Sequence, residues 1–387
     1  MKKIFILTLV TIISLSVFAS DLMFIRIDDL TKSDINILAS SGSEIVDVRN
    51  GNSVDIIVRK DFYNILKNAY QTTVLLKDMD SIYSRYIGKA ISEDSVYHTY
   101  DEMVVFMKEI SKDHSDIVCM RSIGKSWEDR DIWALVISDN PGVDEDEPTA
   151  AFWGAHHSRE WISIEVPIAI AQYLIENYDK DLEVKKIVDN NEIWVVPMVN
   201  PDGVEYSMKE YSYWRKNRRH ITGNTYGIDP NRNYGYHWGE SGASSSAWSD
   251  TYKGEEAFSE KETQAVRDIA AKKKFAVSIS YHSYGGDILF PWSYTDKEKC
   301  KDHDQLKMIA DKMNKYVNYS VMQSGDLYPA AGDSDDWLYS QHRTFAFTFE
   351  LGRSFIPSDE LVDGICEKNV KAAMELLSDI PEILSLK

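Results

Sequence analysis

Thr149-Ala150-Ala151-Phe152-Trp153-Gly154-Ala155-His156-His157-Ser158-Arg159-Glu160-Trp161 joins an apolar run to two imidazoles, a guanidinium and a carboxylate. The apolar run, 149–153, reads as a buried strand. A strand end is a rigid place from which to aim side chains. His157 and Glu160, three residues apart, can converge on one divalent ion. His156, four residues before Glu160, can face it as well. Catalytic zinc typically takes three such protein ligands and keeps one position for water.

Outward from this segment, apolar runs at 117–123, 132–137, 193–199, 276–281, 288–290 and 345–351 repeat the strand pattern. Stretches at 100–111, 163–178, 259–273, 304–317 and 359–377 have helical period. Long apolar strands alternating with helices predict an α/β fold. The expected sheet is mixed, mostly parallel and twisted, of about eight strands, with helices on both faces. The first two strands lie close enough for a hairpin, which makes a mixed sheet the expectation. Residues 203–258 form a long stretch rich in Tyr, Asn, Gly and Ser. Loops of that length inside a compact domain are usually functional.

A smaller unit precedes this one. Strand patterns at 22–27, 44–48, 54–58 and 73–76 and helical patterns at 33–39 and 61–69 describe an α+β unit spanning 20–77. Asn50-Gly51-Asn52 is a hairpin turn signal within it. A polar linker, 78–96, carries Arg85 and Lys89, and the large unit occupies 97–387.

Residues 1–19 have a basic start at Lys2-Lys3, an apolar run from Ile4 to Val17, and a small-residue cleavage site at Val17-Phe18-Ala19. This is the pattern of an export signal. No other apolar stretch approaches membrane length. The expectation is an exported protein, secreted or periplasmic, without stable membrane association. The formal net charge of −19 argues against nonspecific nucleic-acid binding, which needs a positive field. Cys119, Cys300 and Cys366 form no CxxC pair, leaving free thiols or one disulfide and a leftover.

Two further strand ends carry candidate chemistry. His282 closes the strand at 276–281, and beside His157 and Glu160 it supplies the third ligand such a site lacks. Glu350 ends the apolar run Phe345-Ala346-Phe347-Thr348-Phe349. A carboxylate there can act as a general base beside a metal-activated water.

With these residues the chain resembles a zinc metallocarboxypeptidase of the carboxypeptidase A/B family, bacterial secreted type. The resemblance rests on His157-x-x-Glu160 followed by His282, on Trp214-Arg215-Lys216, and on Asp229-Pro230-Asn231-Arg232-Asn233. It continues through Leu327-Tyr328-Pro329 to Asp335-Asp336-Trp337 and ends at Phe347-Thr348-Phe349-Glu350-Leu351. Five separated motifs stand in the family's order from Tyr97 to the C-terminus.

The resemblance implies one Zn2+ per catalytic domain, held by His157, Glu160 and His282, with His156 turned away. It implies Glu350 as general base and Arg215 as the stabiliser of the developing oxyanion. Asn231 and Arg232 would clamp the substrate's free carboxylate, because a planar guanidinium does this bidentately. Tyr328 would close over the substrate, and Arg159 and Tyr284 would line neighbouring subsites. Asp229 would orient His157 from behind. Asp335 falls where basic-specific members carry an acid, which implies a preference for Lys or Arg ends or a dual basic and hydrophobic preference. Asp333 and Gln323 depart from the narrow-specificity patterns. The implied partners are peptide and protein C-termini, the chain's own prodomain over 20–77, and a protease that cuts the linker at Arg85 or Lys89.

Two other readings differ in class. One is a cell-wall peptide-trimming metallo-amidohydrolase on the same scaffold, since its substrates also carry carboxylates. The other is a metal-dead binding module, which would typically have lost Glu350 or a ligand.

Overall fold

The computed structural model describes residues 22–40, 43–49, 51–79 and 95–387. The export signal expected at 1–19 and the expected linker residues Arg85 and Lys89 lie outside the described residues.

In the small unit, β1 (Leu22–Asp28), β2 (Glu44–Arg49), β3 (Ser53–Arg59) and β4 (Gln71–Leu76) form an antiparallel sheet of order β2-β3-β1-β4. Met23, Ile25 and Ile27 alternate inward along β1, as a strand's two-residue period requires. They meet Ile35 and Leu38 of the helix Lys32–Ser40 and Leu66 of the helix Lys60–Leu66. β2 is an edge strand whose register shifts between Ile45 and Asp47. Such a bulge re-aims side chains, and Glu44, Ile45 and Val46 beside it face the large unit's cleft.

The large unit's strands are β5 (Val118–Lys125), β6 (Asp131–Ile137), β7 (Thr149–Trp153) and β8 (Glu192–Val196). β9 (His220–Thr222) and β10 (Thr225–Tyr226) pair with each other. β11 (Val277–His282), β12 (Asp287–Phe290), β13 (Ser320–Gln323) and β14 (Phe345–Glu350) complete the set. Eight strands form one sheet of order β13-β12-β14-β11-β7-β8-β6-β5. Its central run, β14-β11-β7-β8, is parallel, and both flanks contain antiparallel pairs. The expected mixed α/β sheet is therefore present.

Both faces are covered. Ala150 and Phe152 of β7 enter one core with the helices Ile162–Asn177, His303–Val317 and Asp359–Ser378. Ala151 and Trp153 enter the other with Lys261–Lys273 and Ser334–His342. Burying a side chain such as Phe152 contributes on the order of 2–3 kcal/mol.

Two local readings are revised. The strand expected over 193–199 stops at Val196, before Pro197, which cannot donate to a ladder. Asn200 then caps a helix, Pro201–Lys209, by accepting from the Gly203 amide at 3.1 Å. Proline at the first helical position favours that start, so the loop expected over 203–258 begins inside a helix. Asp333 likewise caps Ser334–His342 by accepting from the Asp336 amide at 3.0 Å. The three cysteines are free thiols.

The long loop is pinned from within by Asn217. Its amide donates to the Ile228 carbonyl at 3.0 Å, and its Oδ1 accepts from the Ile228 amide at 2.9 Å. Its Nδ2 donates to Glu260 Oε2 at 2.7 Å and Glu262 Oε2 at 3.0 Å. The segment carrying Arg215 is thereby fastened to the segment carrying Asp229. Glu260 also accepts from Arg219 and from the Trp127 indole, so its charge is matched. Among the described residues no cation pairs with Glu262, and its Oε1 meets no hydrogen-bond partner. Burial, then the neighbouring Glu260, push Glu262 up from 4.5 to about 8.

Folding therefore favours protonated Glu262. That stabilisation is complete below about 4.5 and is lost as pH rises through about 8. Glu262→Gln, which mimics the neutral acid, should flatten this dependence. Thermal unfolding of wild type and E262Q across pH 5–9 should show wild type losing ground steadily, and parallel profiles would refute a buried neutral acid.

Candidate active site and metal centre

β7, β11 and β14 are adjacent and parallel, so their C-terminal ends share one edge of the sheet. Ser280 stands opposite Trp153, and His282 stands opposite Glu350. After Trp153 the chain turns sharply. A Cβ on Gly154 would stand 2.3 Å from the Ser163 carbonyl oxygen and 2.4 Å from that of Pro197, so only glycine passes. Ala155 takes φ 47°, a left-handed conformation uncommon outside glycine. The two histidines that follow meet different partners.

His157 Nδ1 lies 2.9 Å from Glu160 Oε1 and 3.0 Å from His282 Nδ1. His282 Nδ1 lies 3.0 Å from Glu160 Oε2. His156 instead places Nε2 at 2.9 Å from the Tyr234 hydroxyl and Nδ1 at 3.2 Å from Ser280 Oγ. Of the two candidate histidines, His157 is the one facing Glu160.

The donor atoms of His157, Glu160 and His282 all lie within 4.8 Å of one another. Tetrahedral ligands about 2.0–2.1 Å from zinc stand about 3.3 Å apart, close to these separations. Two imidazole lone pairs at 3.0 Å attract only if a proton or cation lies between them. Two imidazoles and a carboxylate, with space for a fourth ligand, fit one zinc ion. Burial raises the cost of ionising Glu160, but His157 and His282 outweigh it and hold the carboxyl below its usual range. Burial pushes His282 down, with Glu160 opposing. Burial, then His282 and His157, keep His156 well below the ordinary histidine range.

Asp229 joins the metal-facing residues to the cleft. Its Oδ1 is 3.1 Å from His157 Nε2 and accepts from the Asn231 amide at 2.9 Å. Its Oδ2 accepts from Arg215 Nε at 3.0 Å and Nη2 at 2.9 Å. Burial works against its charge, yet Arg215 and His157 hold Asp229 well below the usual carboxylate range. The remaining Arg215 nitrogen, Nη1, is 3.9 Å from Glu160 Oε1. Glu350 lines the same cleft. Burial, then Glu160 and Asp287, push it well above the usual carboxylate range, with Arg215 and Arg232 opposing.

Asn231, Arg232, Tyr328, Arg159 and Tyr284 also line the cleft. Asn231 Oδ1 accepts from the Ser334 amide at 3.0 Å. Arg232 Nε donates to the Gly242 carbonyl at 2.9 Å and Nη1 to the Asn231 carbonyl at 2.8 Å. Tyr328 packs against the small unit's core. Asp333 and Thr348 line the cleft, whereas Asp335 is buried against Thr348, whose hydroxyl donates to it at 2.7 Å. Gln323 is spent on loop carbonyls, donating to Thr295 at 2.8 Å and Glu298 at 3.1 Å.

Sequence reasoning missed the surroundings of Arg159. Its guanidinium lies 4.3 Å from the ring centroids of both Tyr213 and Phe355. Nη2 pairs with Glu44 of the small unit, which also accepts from Tyr213 at 2.9 Å. No local pattern marks these residues, because they come from β2 and from two distant loops of the large unit.

The zinc carboxypeptidase family profile matches residues 103–372. A zinc carboxypeptidase of Saccharothrix mutabilis subsp. capreolus is 33% identical over 300 residues, covering 73% of this chain and 69% of that protein. Carboxypeptidase B2 of Rattus norvegicus is 30% identical over 332 residues, covering 81% and 77%. The crystal structure of thrombin activatable fibrinolysis inhibitor matches with a TM-score of 0.78 and 25% identity, across 94% of this chain and 99% of that one. A metal-competent His-Glu-His trio on this fold, within a chain so matched, makes this protein a zinc metallocarboxypeptidase of the zinc carboxypeptidase family.

Proposed function

We propose that the chain is an exported zymogen of an exopeptidase that removes basic, or both basic and hydrophobic, C-terminal residues from peptides and proteins. The observation that carries this reading is the gathering of His157, Glu160, His282, Glu350, Arg215 and Arg232 in one cleft.

His157, Glu160 and His282 would hold zinc, which when bound would polarise the scissile carbonyl and acidify a water. Glu350 accepts that water's proton and passes it to the departing amine. Its upward shift suits proton uptake, and a bound cation acts in the opposite sense. Arg215, fixed by two bonds to Asp229, offers Nη1 to the carbonyl oxygen as negative charge develops. Arg232 and Asn231 receive the substrate's terminal carboxylate, and Tyr328 closes over it. Arg159 and Tyr284 border residues further along the peptide.

Asp333, with Asp335 behind Thr348, supplies the acid for a cationic side chain. Burial pushes Asp333 up to about 6, and burial with Asp333 pushes Asp335 well above its usual range. Charge in this pocket therefore grows as pH rises.

The small unit, 20–77, is read as the inhibitory prodomain. Support comes from Glu44 on Arg159, from Ile45 and Val46 in the cleft, and from Tyr328 against the small unit's core. Cleavage at Arg85 or Lys89 by a trypsin-like protease would release it. Export rests on the signal at 1–19, and no helix among the described residues is long and apolar enough to cross a membrane.

Three outcomes test the proposal. On processed protein, Glu350→Gln should lower kcat by at least about 10²-fold while bound zinc, measured by atomic absorption, stays at wild-type level. Retained activity would remove Glu350 from the mechanism. In a panel of peptides ending in Lys, Arg or Phe, the preference for basic ends should rise between pH 5 and 7.5, and Asp333→Asn should flatten that rise. A pH-independent ratio in wild type would exclude Asp333 as the selector. Finally, Glu44→Gln should raise the activity of the uncleaved chain several-fold, since it leaves the buried Arg159 only the more distant Asp250 carboxylate, 3.9 Å away. Full activity in the uncleaved wild type would make the small unit a permanent accessory domain.

A further inference from the structure

His156 has no part in the chemistry above, yet it is wholly buried beside the metal-facing residues. Its ring stacks on that of His282, with centroids 5.6 Å apart and planes 14° apart. Between them stands Ser280, whose Oγ is 3.2 Å from His156 Nδ1 and 3.1 Å from His282 Nε2. On the far side, His156 Nε2 is 2.9 Å from the Tyr234 hydroxyl. Tyr234, His156, Ser280 and His282 are all at most 1% exposed, so water does not substitute in this chain.

Proton positions fix the direction of each bond. To present the Nδ1 lone pair to a metal, His282 must carry its proton on Nε2. That N–H donates to Ser280 Oγ. The single Ser280 hydroxyl proton is then left to donate to His156 Nδ1. His156 must carry its own proton on Nε2, and it donates to the Tyr234 oxygen. Every step is consistent with neutral imidazoles. His157 differs, because its Nε2 meets the Asp229 carboxylate. The two ligand histidines are thus oriented by unlike partners, one anionic and one neutral.

We propose that Tyr234, His156 and Ser280 form a one-way hydrogen-bond relay that positions His282 and fixes its tautomer for metal binding. The proposal rests on His282 being a zinc ligand, and it makes His156 and Ser280 positioning residues. Partners of this kind behind a ligating histidine typically govern metal affinity by 10–100-fold.

The test uses the full chain and zinc itself, with competition by a chromogenic chelator at neutral pH. Ser280→Ala removes one oxygen from a buried strand and should weaken zinc binding at least about tenfold. His156→Gln should weaken it similarly, and the S280A/H156Q double variant should be no weaker than the poorer single. The visible spectrum of the cobalt(II)-substituted protein should change in each. Unchanged zinc affinity and cobalt spectrum in both single variants, even with lowered thermal stability, would assign the trio to packing and overturn the relay. His282→Ala separates the underlying assignment. Loss of bound zinc in that variant supports His282 as a ligand, whereas wild-type zinc affinity would overturn the ligand assignment and the relay with it.

Discussion

The parallel pairing of β11 with both β7 and β14 is the constraint from which the site follows. Parallel strands end on the same edge of a sheet, and ligand sites in such sheets gather outside the carboxyl ends. Here the register puts Ser280 across from Trp153 and His282 across from Glu350. A slip of one residue would send each of these side chains to the opposite face. Apolar residues on both faces prevent the slip, since Phe152 and Trp153 are bound to different cores. Fold stability and the placement of the ligands are therefore one property.

The sheet alone does not place Arg215, Asn231 or Arg232, which come from the long loop. Their placement depends on Asp229, which touches His157, Arg215 and the Asn231 amide with its two oxygens. A buried carboxylate is costly unless its lone pairs are met by cations and donors, and this one has both. Asn217 does the parallel task for the backbone, lacing the Arg215 segment to Ile228 and anchoring to Glu260 and Glu262. A loop that long is otherwise a poor platform for catalytic geometry. Here it is stitched at the two points that flank its chemistry.

What was legible in the sequence was what local pattern encodes. Apolar runs located the central strands, and a histidine or glutamate at or just beyond the ends of β7, β11 and β14 pointed to one edge. Hydrophobic period located the long helices, including the one at Asp359–Ser378. Other features were illegible for physical reasons. β13 is a four-residue edge strand with only Gln323 buried, too short for its period to register. The helix Pro201–Lys209 opens with proline and glycine, which resemble a turn until the Asn200 cap is seen. The Glu44 contact with Arg159 and the partners of His156 join segments far apart in the chain. Nothing local distinguishes Glu44 from any other acid on an edge strand. His156 was set aside as turned away, which its geometry supports, but its burial against Ser280 and Tyr234 is a tertiary fact.

The proposed reaction asks one of the three cleft arginines to receive a peptide's free carboxylate. The chain is strongly acidic, with a formal net charge of −19, yet it collects Arg159, Arg215 and Arg232 around the metal-facing residues. Arg215 is bound twice to Asp229, so most of its field is already answered. Arg159 is held between two aromatic rings and paired with Glu44. Arg232 is held by the neutral carbonyls of Asn231 and Gly242 and by the Tyr328 side chain; Asp229, Asp333 and Glu350 feel its charge, but among the described residues no carboxylate forms an ion pair with it. Its direction is fixed while no carboxylate is in direct contact with it. In a water-poor cleft an unpaired guanidinium attracts a carboxylate far more strongly than one already neutralised. In the proposed reaction, the neutral tethers on Arg232 would suit it to an incoming chain end, and the carboxylate tether on Arg215 would leave that arginine to respond to the smaller charge developing during bond cleavage.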